Sequence, residues 1–171
     1  MTLVPIFNFE SSNQTYVEAR YNYEELNAFS FYLGRTFTGK NKLTYSVTPI
    51  LGGVVGKFRG GSAGVNVVAE YGKIFFSTQS QYTVSFHEAS DDFLFAWSDL
   101  VYQPWKWFYV GLSTQQTLLT HDKSFVGESG IALGFVKGKW TFPLYCFSPL
   151  GDGKYLVLGI NYNAGSLKRN K

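Results

Sequence analysis

A single cysteine, Cys146, leaves no partner for an internal disulfide and no basis for a cysteine-built zinc cluster. Charge is scarce as well: Asp, Glu, Lys and Arg make up 16% of the chain, against about 25% in ordinary soluble domains. The net charge is only +3 and the lysines are scattered, which argues against a nucleic-acid surface. No run of about 18 or more apolar residues occurs, so no transmembrane helix is expected. Apolar residues nowhere recur at i, i+3, i+4, i+7 over a sustained stretch, so essentially no helix of any kind is predicted. The stretch Met1–Glu10 also lacks the basic and apolar regions of a secretory signal. An exported protein needs such a signal, so either Met1 is a start added to a mature chain, which the strand pattern below favours, or a reading that places the chain in an outer membrane is wrong.

What the chain has in quantity is strand formers. Aromatic residues are 19% of the sequence, with 12 tyrosines and 16 phenylalanines, and there are 18 glycines. At 171 residues the length suits one domain with a sizeable core. Runs of about ten alternating residues end at clusters of turn formers. They predict strands near 13–22, 26–37, 42–52, 61–71, 73–86, 92–102, 106–118, 124–137, 139–147 and 154–164. Segments 1–12 and 165–171 read as a flexible N-terminal end and a polar C-terminal tail around one β-domain, 13–164. Short connections fall near Thr38–Asn41, Tyr71–Lys73, Gln103–Lys106 and Lys137–Lys139. Longer ones fall near Asn22–Glu25, Gly52–Gly61, His87–Asp92, Thr120–Ser124 and Ser148–Gly153. Alternation of short turns with longer loops is the habit of transmembrane barrels, and ten strands would put both termini on the short-turn side. The expected fold is an all-β, closed, antiparallel up-and-down barrel of about ten strands, or eight if two shorter runs stay outside it.

Alternate side chains along a strand point to opposite faces. One set is apolar, as in Phe29, Phe31, Leu33 and Phe37 or Leu156, Leu158, Ile160 and Tyr162. The other is Ser, Thr, Gln, Asn and Gly, as in Ser77, Gln79, Gln81 and Thr83. A soluble lipocalin-like barrel holding a hydrophobic ligand would turn the apolar set inward and coat the outside with Lys and Glu. A membrane barrel turns the apolar set to lipid and fills its interior with the polar set. Small uncharged groups suit a crowded interior better than a wet surface, so the lipid-facing reading is preferred.

Charged residues at mid-strand agree with that reading: Glu18, Arg20, Glu70, Asp99 and Glu128 all fall on the polar set and are predicted to form a network in the lumen. Tyr32, Trp97 and Tyr109 fall on the same set and are expected to plug it, since about eight strands are already filled by side chains. Arg35 alone is in register with the apolar set. Tyr21, Tyr23, Phe37, Tyr71, Tyr102, Trp105, Trp107, Trp140 and Tyr162 lie near strand ends, where barrels place aromatic girdles. Pro49 and Pro143 fall inside predicted strands, where bulges or a misplaced strand boundary are expected.

The pattern resembles the small outer-membrane β-barrel proteins of Gram-negative bacteria. The stretch Tyr16-Val-Glu-Ala-Arg-Tyr-Asn-Tyr-Glu-Glu25, followed by Tyr32-Leu-Gly-Arg-Thr-Phe37, is similar to the opening hairpin of uncharacterised exported proteins of this type. The resemblance implies fold and location: a porin-like barrel in the bacterial outer membrane, with lipid and other membrane or periplasmic proteins as partners. The ending departs from the usual terminal aromatic, because Tyr162 is followed by a polar tail.

Chemistry is hard to find. His87 lies near Glu88, Asp91 and Asp92, and His121 near Asp122 and Ser124, in loops expected at one rim. A rim-active hydrolase would need these to converge on a nucleophile or water. No Gly-x-Ser-x-Gly motif is present and the spacing is unspecific, so no catalytic residue, metal or cofactor is assigned. Lys40, Lys42, Lys73, Lys106, Lys137 and Lys139 gather at the short-turn end. The expected role is non-enzymatic: a structural or accessory membrane component, or a passage for a very small solute.

Overall fold

Every regular element in the computed structural model is a strand, among described residues 4–24, 26–87, 92–121, 124–151 and 153–163. The strands are β1 (Ile6–Glu10), β2 (Thr15–Tyr21), β3 (Ala28–Arg35), β4 (Phe37–Lys40), β5 (Thr44–Gly56), β6 (Gly60–Tyr71) and β7 (Ile74–Ser85). Then come β8 (Phe93–Trp105), β9 (Phe108–Leu119), β10 (Phe125–Lys137), β11 (Trp140–Phe147), β12 (Tyr155–Leu158) and β13 (Asn161–Tyr162). All pair antiparallel in one up-and-down sheet ordered β1-β2-β3-β5-β6-β7-β8-β9-β10-β11-β12.

Two of these elements are continuations. β4 extends β3 along β5, and β13 extends β12 along β11. The cause is proline. Register runs unbroken from Gly34↔Ile50 to Phe37↔Val47, with Pro49 opposite the gap. It runs likewise from Leu144↔Leu158 to Trp140↔Tyr162, with Pro143 opposite the second gap. Proline removes a ladder donor without moving the strands; Gly159 N still donates to Pro143 O at 2.8 Å. The bulges expected at these prolines are therefore absent. The register shift in the sheet lies between Tyr102 and Trp105, beside Pro104.

The thirteen pieces are thus eleven strands, not ten. The ten expected runs correspond to β2 through β13, and the eleventh is β1, inside the segment 1–12 expected to be flexible. Residues 165–171 lie outside the described residues. Among the described residues no backbone pairing joins β1 to β12 or β13, so the sheet is an open path rather than a closed ring.

The expected long connection Gly52–Gly61 is also corrected. β5 runs on to Gly56 and β6 begins at Gly60, leaving only Lys57–Arg59 between them. Gly52 is paired with Tyr32, and a Cβ there would stand 2.6 Å from the Tyr32 ring and 2.0 Å from Phe31 O. The glycine is there to admit an aromatic ring across the strand pair, not to turn the chain. True glycine turns are the two-residue links Gly72–Lys73 and Gly138–Lys139, each opening with φ near +60° (63° and 64°).

Strong curvature brings distant strands together. β2 and β7 are four places apart, about 19 Å in a flat sheet, yet Arg20 Nη1 donates to Gln81 Oε1 at 2.7 Å. On the other flank, the Trp97 ring of β8 meets Tyr145 of β11 at 5.3 Å. The concave face encloses the polar set: Glu18, Arg20, Ser30, Thr36, Thr48, Ser62, Gln81, Thr83 and Ser113 are buried. The convex face carries the apolar set, with Leu51 69% and Leu158 72% exposed. The usual arrangement of a soluble domain is inverted.

Candidate functional site: the buried polar interior

Arg20 organises the first half of the interior. Glu18 and Arg20 are two residues apart on β2, so both point inward, and Nε donates to Glu18 Oε1 at 2.8 Å. The β2–β3 connection then folds under the sheet. Asn22 and Asn27 both take positive φ (56° and 60°), a conformation asparagine tolerates. Asn27 N donates to Asn22 Oδ1 at 2.8 Å, closing the turn. This delivers Tyr23 and Glu24 to the interior. Glu24 Oε1 accepts from Arg20 Nη1 at 3.0 Å and from the Tyr32 hydroxyl at 2.8 Å, and Glu24 also accepts from the Ser30 hydroxyl.

The guanidinium lies between two rings, 4.6 Å from the Tyr23 centroid and 4.4 Å from that of Tyr32. Two carboxylates face one cation, and hydroxyl and amide donors supply the remainder. Tyr16 donates to Glu18 at 2.7 Å, while Asn66 and Gln79 approach Glu18 at 3.4 Å. The Tyr23 hydroxyl donates to Gln79 at 2.8 Å, and its ring meets Phe95 edge-on at 5.7 Å. These contacts tie β2 and its turn to β6, β7 and β8.

The second half has a separate centre. Asp99 accepts from the Ser113 hydroxyl at 2.6 Å, from Trp97 Nε1 at 3.1 Å and from the Tyr145 hydroxyl at 3.4 Å. Phe147 packs on Trp97 at 5.7 Å and on Tyr155 at 5.1 Å. Tyr155 in turn donates to Glu128. At the short-turn end a cavity of about 240 Å³ is lined by Phe75, Val101, Gln103, Tyr109, Val136 and Thr141.

The five charged residues expected to form one network therefore divide. Glu18 and Arg20 are bonded to each other, Asp99 holds its own partners on β8, β9 and β11, and Glu128 is engaged by Tyr155. Glu70 is exposed, one residue from the end of β6, and joins none of these bonds. Of the three expected plug residues, Tyr32 is fully buried and Trp97 is bonded to Asp99 and Ser113. Tyr109 borders the cavity, its ring laid over Gly134, its partner across the strand pair.

Tyr16, Tyr23, Glu24, Gln79 and Gln81 belong to the site and were not singled out for it. Gln79 and Gln81 were readable from their place on the polar set; Tyr23 was expected in a girdle instead. Glu24 carried no periodic signal, because it lies in a turn. The other girdle residues are exposed, with Trp105, Trp107 and Phe135 stacked in series at 5.7 and 6.1 Å near the short turns.

At the opposite rim His87 and His121 are both exposed. Their loops touch at the base, where Thr120 N donates to Asp92 O at 3.0 Å. The Asp92 carboxylate is taken by Ser85 N at 2.7 Å and the Tyr82 hydroxyl at 3.3 Å. Glu88, Asp91 and Asp122 lie outside the described residues. Set against family models, curated proteins and solved structures, the chain matches none of them.

Proposed function

We propose that the chain is an integral outer-membrane β-barrel with a polar, largely filled interior, serving as a structural or accessory membrane component. The observation that carries this reading is the inversion of the two faces. Arg20 and Glu18 are 1% and 2% exposed, while Phe29, Phe31, Leu33 and Leu51 stand on the convex surface. Water would penalise so much exposed apolar area, and hydrocarbon would not. Closure of the sheet belongs to the same reading, because an open edge leaves backbone groups unpaired, which hydrocarbon does not tolerate. Arg35 is the charged residue on the outer face at mid-strand; its guanidinium reaches over Phe37 at 5.7 Å, toward the short-turn end.

Interior contacts favour a plug over a pore. The Arg20 cluster and the edge-on contacts of Trp97 with Tyr145 and Phe147 each bring side chains from non-adjacent strands together across the interior. A soluble carrier would need an apolar interior, and the buried set here is mainly polar. The test is to refold the chain in detergent micelles, then in planar bilayers. A strand-rich spectrum with heat-modifiable gel mobility and no steady conductance is expected. A chain that stays folded and monomeric in plain buffer would overturn the membrane reading, and stepwise conductance would overturn the plug.

A further inference from the structure

The outer face is not uniformly apolar. On β7, β8 and β9 its middle is polar: Thr78 and Ser80, Ser98, then Thr114 and Gln116, with Ser129 following on β10. The register makes these neighbours. One row of direct pairs runs Thr78↔Ser98↔Thr114↔Ser129, and the next runs Ser80↔Ala96↔Gln116↔Gly127. Residues of the same face two places along are exposed and apolar on both sides: Phe76, Leu100 and Leu112 toward the short turns, Tyr82 and Leu94 toward the loops. On β3 and β5 the corresponding stretch carries Phe31, Leu33 and Leu51.

A band of hydroxyl and amide groups at mid-strand is opposite to what hydrocarbon selects. Thr78 shares hydrogen bonds with Ser98 at 2.8 Å and Ser80 at 3.4 Å. The side chains of Thr114, Gln116 and Ser129 make none among the described residues, and Gln116 and Ser129 are exposed.

We propose that this patch is the contact face of a homodimer whose two-fold axis runs along the membrane normal. The inference rests on the membrane reading above. Three features select a second copy of this chain as the occupant. Rotation about the normal preserves height, so the polar middle of one copy meets the polar middle of the other. Hydroxyl and amide groups both donate and accept, so the patch complements itself. It carries no charge that two copies would have to oppose. Small side chains also let two walls approach closely, as polar and small residues do between membrane-embedded segments. Together with the apolar row on each side, the two polar rows on four strands cover about 19 by 27 Å, near 500 Å² per copy and about 1,000 Å² in all, at the threshold for a biological interface.

The experiment uses the full chain with Cys146→Ser, reconstituted in dilauroylphosphatidylcholine vesicles at low protein-to-lipid ratio. Ser98→Cys in that background is oxidised with copper phenanthroline, beside Leu51→Cys on the other side of the sheet. The expected result is a cross-linked dimer from Ser98→Cys at least fivefold more abundant than from Leu51→Cys. Thr114→Leu with Gln116→Leu, in otherwise unsubstituted protein, should shift the micelle-refolded chain from dimer to monomer in sedimentation without altering heat-modifiable mobility. Equal cross-linking at both positions, or a folded monomer in both media, overturns the dimer and leaves the membrane reading standing. Failure to acquire heat-modifiable mobility in vesicles and micelles overturns both.

Discussion

Removing the Arg20 side chain would leave Glu18 and Glu24 facing each other in a buried chamber without a cation. Breaking a buried ion pair from one side costs about 3–5 kcal/mol, because the orphaned charge stays desolvated. Arg20→Met is therefore expected to lower the urea midpoint of the micelle-refolded chain by that equivalent. Adding Glu18→Gln and Glu24→Gln should restore most of the loss, since no net charge then remains to be buried. A single substitution as costly as the triple one would mean that packing between Tyr23 and Tyr32, not charge, is what Arg20 contributes. The sequence made half of this cluster visible: the two-residue spacing of Glu18 and Arg20 put both on the polar face. Glu24 was invisible because its position depends on Asn22 and Asn27 entering the left-handed region together, a tertiary choice that asparagine permits but does not demand.

At the scale of the strand, alternation was a reliable guide and turn chemistry a partial one. The polar and apolar sets of β3 alternate cleanly, those of β7 and β10 do so outside Thr78–Ser80 and Gly127–Ser129, and the limits of all three strands were readable to within a few residues. Glycine misled at Gly52 and Gly61, where it reads as a loop but serves cross-strand packing, with the Tyr32 ring over one and Phe86 near the other. β1 escaped because five residues beside Pro5 give too short a pattern to separate from a loose end. Proline misled in the opposite direction. Pro49 and Pro143 suggested bulges, whereas the structure keeps register and gives up only ladder pairing. Pro143→Val should consequently join β12 and β13 into one continuous strand without a slip. Hydrogen exchange in micelles is expected to slow around Gly159 and Ile160, with about 0.5–1.5 kcal/mol of added stability for one recovered hydrogen bond. Altered protection in β10, on the other side of β11, would show that Pro143 sets register after all.

For the whole molecule the strand count decides how the sheet can close. Along an up-and-down path directions alternate, so the first and last of eleven strands run the same way, and β1 could meet β12 only in parallel. Without β1, ten strands remain and β2 would meet β12 and β13 antiparallel. β1 occupies the edge of β2 that this second closure requires, pairing Ile6–Glu10 with Tyr16–Arg20. Deletion of residues 1–12 is accordingly expected to leave a chain that refolds in micelles with heat-modifiable mobility and its other ten strands formed. Loss of refolding on that deletion would make β1 an obligatory member of the wall.

Because each strand pairs with its neighbour in sequence, nearly every contact can form as soon as the next ten or so residues are in place. Such local wiring favours rapid, stepwise zippering. Closure, on the proposed barrel reading, would be the exception, since it would join the two ends of the chain and would have to overcome the loop entropy of everything between them. Until that last step a growing edge stays open and can recruit any other unpaired strand. The slow and hazardous moment in the life of this chain is thus expected to come at the end of folding, when an apolar wall already stands and only its seam is unmade.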